Sequence, residues 1–448
     1  MNEFRYIAQA KQGNSKHDYM ISEQIQKLLQ GRQQDPDTGQ KINVPIKVIV
    51  VDRDLHKDVA SLLEPLELGD NPLVVCDINT NAVMGEKIAN ALGCERLMLQ
   101  GKIYPSEERI KEIRIRAEHN SGIIAVGSGT INDLCKYASY IDNKPYVVFA
   151  TALSMNGYTS ANASIENIHG YKKSYPAWLP KGIFLDTKVL EGAPARLTAS
   201  GLADVLCRST AQADWQLSNL LLGTEYNPLP FEWLQDLEEE LMKNSLWLAK
   251  GDHNATLKLI DAILLSGLGM YVCRGSYPAS QGEHIIAHTM EMVHSNVVQP
   301  SYHGEQIAVT TLTMAKLQEF MLLEMPVIKP KQINEKAVLH YFGVGLGHHC
   351  LSEMQKKNIS QEKADKINAH LKEHWGSVKM RIKSKMVPYR TLKNALEMAE
   401  APTKPEDLGW DKELYRSTVK HALLTRNRFT FLDLAYYSGK LDEFLSGL

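Results

Sequence analysis

One carboxylate and two imidazoles in the second half of the chain could together hold a divalent cation. Asp204 stands in Gly201-Leu202-Ala203-Asp204-Val205-Leu206, a helix-like run of small and apolar neighbours. A carboxylate there must be paired, hydrogen-bonded or metal-bound, because burying an unpaired charge is costly. His284 and His288 lie four residues apart in Gly282-Glu283-His284-Ile285-Ile286-Ala287-His288 and therefore share one helix face. His303 follows in Tyr302-His303-Gly304-Glu305-Gln306, a loop entering a helix that starts near Glu305. One Asp and two His suit zinc or another borderline divalent cation, with positions left for substrate and water. A histidine on an apolar helix is also an ordinary hydrogen-bonded core residue, so spacing alone leaves both roles open.

A second group of residues could cradle a phosphate. Ile123–Lys136 reads IIAVGSGTINDLCK, an apolar strand that ends in Gly127-Ser128-Gly129 before a helix opens near Thr130. Glycine lets a phosphate approach the backbone closely, and the exposed N–H groups and dipole of a helix start favour a pyrophosphate. Thr130 adds a hydroxyl donor, and Asp133 is placed to support the first turn. The loop lacks the third glycine of the usual dinucleotide fingerprint, and GxG between strand and helix is also a plain tight turn. Asp77 ends an earlier strand, a position suited to a ribose hydroxyl and equally to capping the next helix.

These residues need a scaffold, and the hydrophobic pattern describes one. From Ile46 to about Asp186, short continuous apolar runs read as buried strands: Lys47–Val51, Leu73–Asp77, Arg96–Leu99, Ile123–Val126, Tyr146–Ala150 and Gly182–Asp186. Helical stripes such as Ile131, Leu134, Cys135 and Ala138 lie between them. That alternation predicts a mainly parallel sheet covered on both faces. After about Leu190 the strand signal fades. Helical spacing then predominates over Ala195–Leu217, Ala255–Cys273, Gly282–Val293, Glu305–Leu323, Glu335–Val344 and Gln361–His374, punctuated by prolines. The expected layout is a polar N-terminal extension over residues 1–44, with one short helix at Met20–Leu29, an α/β domain over 45–190 and an all-α domain over 191–448.

Composition excludes several other classes. The 448 residues suit two domains, and 50 Lys plus Arg against 52 Asp plus Glu provide no global basic field for nucleic acid or an anionic membrane. The six cysteines are scattered without a CxxC pair, which argues against a cysteine zinc site or a disulfide framework. No run of about 18 apolar residues and no signal-like start are found, so the expectation is a cytoplasmic protein without membrane insertion. A homo-oligomer is left open.

Taken together, GSGTINDLCKYAS, ATALSMNGYTSANASI, LTASGLADVLCRSTAQADWQLS, YPASQGEHIIAH, YHGEQIAV and RNRFTFLDLA resemble the sn-glycerol-1-phosphate dehydrogenase family. That family belongs to the iron-containing alcohol dehydrogenase, glycerol dehydrogenase and dehydroquinate synthase superfamily. The resemblance runs from roughly Val44 to the C-terminus. It implies an α/β nucleotide-binding domain followed by a helical domain, a dehydroquinate synthase-like fold. It implies zinc or a similar cation on Asp204, His284 and His303, which would be the catalytic centre. It implies NAD or NADP at Gly127, Ser128, Gly129, Thr130 and Asp133, with Thr151 and Ser154 as a second cofactor segment. Asn156, Ser160, Arg208 and His288 fall on the substrate side, and Lys136 and Arg274 join Arg208 as cationic candidates for a substrate phosphate.

The implied reaction is hydride transfer between NAD(P) and a small polyol phosphate or its ketone, such as dihydroxyacetone phosphate. Four departures flank the expected pocket: Asn156 replaces the family's usual Asp, Tyr277 replaces an Arg, Gln281-Gly282 replaces Gly-Ser, and Gly201-Leu202-Ala203-Asp204 replaces Gly-Cys-Gly-Asp. Two other readings share the scaffold. One is a dehydroquinate-synthase-like cyclase using NAD transiently, which would usually carry Glu in place of Asp204. The other is a non-catalytic binding relative, motivated by Asn156 and Tyr277.

Overall fold

A computed structural model describes residues 21–35, 38–166 and 172–448. The chain divides into two compact units, one bounded by Met1–Leu202 and Glu232–Arg274, the other by Ala203–Phe231 and Gly275–Leu448. The division thus falls inside the helix α3 (Ala195–Leu206) rather than at residue 191. Glu232–Arg274, helical by spacing, belongs to the unit that holds the sheet.

The first unit is built on a six-stranded, wholly parallel sheet of β1 (Val48–Asp52), β2 (Leu73–Asp77), β3 (Arg96–Leu99), β4 (Ile123–Gly127), β5 (Tyr146–Ala150) and β8 (Gly182–Asp186), in the order β1-β8-β5-β4-β2-β3. Its inner strands are buried on both faces, which is why they read as unbroken apolar runs. Phe149 and Phe184 stack at 4.4 Å within a core that includes Val74, Ile88 and Val126. Register sets Gly127 of β4 beside Ala150 of β5, so the two strands end side by side. A separate antiparallel pair, β6 (Asn162–Glu166) and β7 (Lys172–Pro176), had no clear apolar alternation and went unread in the sequence.

The polar extension read over residues 1–44 is solvent-exposed over residues 38–41 but contains a packed helix before them. Helix α1 (Glu23–Leu29) is capped by Ser22, and Ile21, Ile25, Leu28 and Leu29 are buried. Those positions are an i, i+4, i+7, i+8 stripe, the pattern of a helix with one face packed. Asp261 of α5 (His253–Val272) accepts the N–H of Ser22, and Tyr271 donates to the carbonyl of Asn43. Residues 1–20 of that expected extension lie outside the described residues. Helix α5 is long and apolar enough to cross a membrane, and 83% of its most apolar window is buried inside the protein. It is a core helix of the first unit. A Cβ at its Gly267 would lie 2.2 Å from the Thr159 hydroxyl and 2.5 Å from the Asn156 carbonyl.

The second unit is helical among its described residues. Helices α4 (Arg208–Leu222), α6 (Gly282–His294), α7 (His303–Met321) and α8 (Phe431–Ser438) carry or brace the chemistry described below. The run expected over Ala195–Leu217 is two helices parted at Cys207. The run expected to stop at Val344 continues to Lys356 across a kink at Gly343, where φ is +73°.

Candidate active site

Asp204 lies in the last turn of α3, His284 in the first turn of α6, and His303 is the first residue of α7. The distance from Asp204 Oδ1 to Nε2 of His284 is 3.5 Å, and to Nε2 of His303 it is 3.9 Å. One ligand atom from each side chain lies within 4.8 Å of the others. Ligands at about 2.0–2.1 Å from a tetrahedral zinc ion stand roughly 3.3 Å from one another, so a small contraction would bring these three into a coordination shell. Asp204 and His284 are buried while His303 is partly exposed, which leaves one side of the trio accessible. The donor set and its geometry therefore fit a divalent cation. His288 packs against the same cluster, its ring 5.7 Å from that of His284 and 5.6 Å from that of His303.

The neighbours of His284 explain its orientation. Its Nδ1 is 3.0 Å from a carboxylate oxygen of Glu283, which also accepts from the Gln281 N–H at 2.7 Å. The other oxygen of Glu283 accepts from the Thr210 hydroxyl at 3.1 Å. Anchoring Nδ1 leaves Nε2 for Asp204 or a cation, as in carboxylate–histidine–metal sites generally. Burial acts to lower the pKa of this imidazole, but the Asp204 and Glu283 carboxylates outweigh it and hold the ring at about 9. A proton thus neutralises the anionic cluster where a cation would otherwise do so. Cys207 also approaches Glu283 and His284. Its Sγ donates to the carbonyls of Asp204 and Ala279, the behaviour of a protonated thiol rather than a ligand.

A second carboxylate fastens the entry to α6. Asp214 accepts the N–H of Gly282 at 2.9 Å, that of Phe431 at 3.0 Å and the Gln318 amide at 3.3 Å. Burial, then the nearby charge of Glu283, push its pKa well above the usual carboxylate range. A Cβ on Gly282 would lie 2.8 Å from Asp214 and 2.4 Å from Met314, so this approach requires glycine.

In the first unit, β4 ends at Gly127 and α2 (Gly129–Ile141) begins with Ser128 as its cap residue. No side chain caps the helix, so its leading N–H groups are left for an anion. A Cβ at Gly127 would fall 2.6 Å from that of Ile131, which explains the first glycine by packing of helix on strand. The hydroxyls of Ser128 and Ser154 touch, and the Thr151 N–H donates to the Gly127 carbonyl at 3.2 Å. The loop and the segment after β5 thus form one polar cradle, with Thr130 in the first turn of α2. It fits a dinucleotide pyrophosphate.

Other sequence candidates are differently engaged. Asp133 turns away from the loop, accepting the Ser164 N–H at 2.9 Å and facing Lys136 at 3.4 Å. Lys136 is fully buried and donates to the carbonyls of Gly157 and Asn162, so it is a core cation rather than a phosphate ligand. One Asp77 oxygen caps the helical turn after β2 through the Thr80 N–H, at 2.8 Å. The Asn156 amide donates to Ser266, and the Ser160 hydroxyl accepts from the Asn162 N–H. Arg208 is buried and donates to Gln212 at 2.8 Å. Arg274 sits at φ +49°, a turn conformation. Sequence reasoning passed over Glu283 and Arg428, although GEH and RNRF displayed both; their roles depend on partners far away in the chain.

A wholly parallel α/β sheet with a glycine loop, and a helical unit with an Asp-His-His trio, define the class of metal-dependent, nucleotide-linked dehydrogenases. The solved structure of a probable glycerol dehydrogenase from Sinorhizobium meliloti 1021 shares this fold with a TM-score of 0.58 at 18% identity, over 89% of this chain and 97% of its own. Glycerol dehydrogenase from Schizosaccharomyces pombe matches with the same score and identity, over 89% of this chain and 90% of its own. Residues 50–194 match the iron-containing alcohol dehydrogenase family.

The NAD(P)+ glycerol-1-phosphate dehydrogenase of Bacillus subtilis strain 168 is 31% identical over 285 residues, covering 60% of this chain and 71% of the relative. That of Thermococcus kodakarensis is 30% identical over 274 residues, with 60% and 77% covered. That of Bacillus velezensis is 27% identical over 410 residues, 89% of this chain and 93% of the relative. The chain belongs to the glycerol-1-phosphate dehydrogenase family of the iron-containing alcohol dehydrogenase superfamily.

Proposed function

We propose that this protein is a metal-dependent NAD(P)-linked dehydrogenase that interconverts sn-glycerol 1-phosphate, or a closely related polyol phosphate, and dihydroxyacetone phosphate. The observation that carries this reading is the convergence of Asp204, His284 and His303, with their ligand atoms within 4.8 Å of one another. When bound, the cation supplies Lewis-acid polarisation of a secondary hydroxyl or ketone, and the dinucleotide supplies or accepts the hydride. Asp204, His284 and His303 would hold the cation. Glu283 would keep the Nδ1 proton on His284, so that the ring presents Nε2 in a fixed orientation. His288, beside both imidazoles, is placed to contact the substrate. Gly127, Ser128, Gly129, Thr130, Thr151 and Ser154 would seat the pyrophosphate against the uncapped start of α2. Asp133 supports that seat indirectly, by tying α2 to β6 through the Ser164 N–H.

Zinc content and NAD(P)H-linked turnover test the assignment together. Asp204→Ala and His303→Ala should each lose bound metal and activity while keeping a cooperative thermal transition. Full metal content in both variants would overturn the ligand set. Phosphate release from a heptulosonate phosphate, without net NAD(P)H formation, would indicate the cyclase chemistry of the wider superfamily.

A further inference from the structure

A cavity of about 310 Å³ lies within the second unit, lined by α7, the helix Tyr389–Met398, the turn at residues 403–406 and the helix Lys412–Ala422. None of Asp204, His284, His288 and His303 lines it. Thr313, on its wall, follows His303 by ten residues, which is about 15 Å along α7. Part of the wall is polar and buried. The hydroxyls of Thr313 and Tyr415 meet there at 2.7 Å, and both residues are shut off from solvent. Thr313 donates to the Val309 carbonyl at 3.2 Å, so the proton between the two hydroxyls comes from Tyr415. The phenolic oxygen can then still accept a hydrogen bond from a ligand.

The charge of the lining is unbalanced. Five cationic side chains face two carboxylate side chains, Glu397 and Glu406. Lys393 pairs with Glu397 at 3.0 Å, and Lys404 stands 3.8 Å from Asp407. Arg416 spends one guanidinium nitrogen on Glu413 and another on the Ser446 carbonyl. Its Nε is buried without a hydrogen-bond partner among the described residues. Lys316 rests on the Tyr389 ring at 4.9 Å, a contact that occupies none of its N–H donors. Neither Lys316 nor Lys412 makes an ion pair or hydrogen bond among the described residues. Two ammonium groups and one guanidinium N–H are thus set against a single unpaired carboxylate, Glu406. The nearby backbone donors are already engaged: Asp411 accepts the N–H groups of Glu413 and Leu414, and Asp407 those of Thr403 and Lys404. What the cavity presents to an anion is side-chain charge.

We propose that this cavity binds a phosphate dianion, free or as the head of a small phosphomonoester, at a site separate from the metal centre. A planar carboxylate is held best by a bidentate guanidinium fork, and the fork of Arg416 is already taken. Ammonium groups act as point charges with rotatable donors and suit a tetrahedral oxyanion reached from several directions. Lys316 comes from α7 and Lys412 from the first turn of another helix, so the anion would be held between two elements. The volume is at the lower end of small-molecule sites, which span about 300–1,000 Å³, and admits a metabolite rather than a polymer. In an ester, the Tyr415 oxygen would accept from a hydroxyl, and Val309 and Leu312 would cover carbon atoms. The inference does not depend on which substrate the metal centre takes.

The test is calorimetric titration of the zinc-loaded protein with inorganic phosphate and with glucose 6-phosphate. About 0.15 M NaCl screens diffuse attraction between exposed charges beyond about 8 Å, so binding that persists there is local. Wild type should bind, and Lys316→Gln combined with Lys412→Gln should weaken that binding at least roughly 10-fold, the least expected for a lost charge-assisted contact. Both lysines are exposed, so the melting temperature without phosphate should be unchanged. Lys412→Gln alone, with a loss of roughly 10-fold, keeps the test open should the pair disturb the fold. Zinc content and KM for dihydroxyacetone phosphate should match wild type in both variants, which separates this site from the substrate's. Tighter binding of the sugar phosphate would assign the cavity to an ester, and tighter binding of phosphate to the free ion. No binding to wild type, binding indifferent to both substitutions, or a KM that rises in step with the loss would overturn the proposal.

Discussion

Glu283→Gln is the most informative single change to the proposed metal centre. Glu283 is fully buried and does not belong to the ligand trio, so its effect must pass through His284. The amide preserves the volume, and its oxygen can still accept from Nδ1 of His284 or from the Gln281 N–H. What disappears is the negative charge that raises the basicity of the imidazole and helps hold it at about 9 in the metal-free protein. Replacing outer partners of metal ligands usually costs 10- to 100-fold in affinity, or about 1.4–2.7 kcal/mol. Competition against a zinc chelator of known affinity, on metal-free wild type and variant, measures this directly. Calorimetric melting of the metal-free proteins checks the fold, because the amide NH2 now faces groups that previously donated to it; a penalty of about 1–3 kcal/mol is expected there. An unchanged zinc affinity would refute the idea that the contact to Nδ1 tunes the ligand. An unchanged affinity alongside a large loss of stability would make Glu283 purely a brace.

Three further outcomes follow from the same geometry. Gly127→Ala places a Cβ 2.6 Å from that of Ile131, so overpacking of about 1–3 kcal/mol and weaker dinucleotide binding are expected; an unchanged melting temperature would contradict the packing account. Lys357→Met strands the buried Asp433 and should cost about 3–5 kcal/mol in urea unfolding. Adding Asp433→Asn should recover much of that loss, and a double variant no more stable than the single would show that the pair's charge is not the issue. Burial pushes the Cys76 thiol up to about 11 and those of Cys273 and Cys350 to about 12, which keeps them protonated until pH rises through those values. At pH 8 only about one Cys76 in a thousand is thiolate, so native protein should resist iodoacetamide by mass spectrometry while unfolded protein reacts.

Much of the scaffold was legible from local pattern. The six strands of the parallel sheet occupy the apolar runs read from the sequence, because a strand buried on both faces needs unbroken apolar residues. Helix starts were legible where a cap or glycine marks them, as at Gly282. Elsewhere the pattern misled. The stretch 21–44 looked solvated because its buried stripe is short and set among charged residues, yet Ile25 and Leu28 are wholly covered. His303 was expected in a loop and instead opens α7, since the Glu305 carboxylate accepts the Tyr302 N–H and starts the helix earlier.

Residue types and spacing determined by themselves which side chains can bind a cation and which loop can face a phosphate, because donor chemistry and glycine's freedom are properties of the residues. Only the folded chain decided which of them are at liberty to act. It brought Asp204 within 4 Å of two histidines distant in sequence, tied up Lys136 and Asp133 with each other and with nearby backbone, set Glu283 behind His284, and clasped Arg428 to Ser276 and Ser280. A hydrogen bond or ion pair depends on separations of a few ångströms between residues that can lie hundreds of positions apart, and no local periodicity encodes that distance.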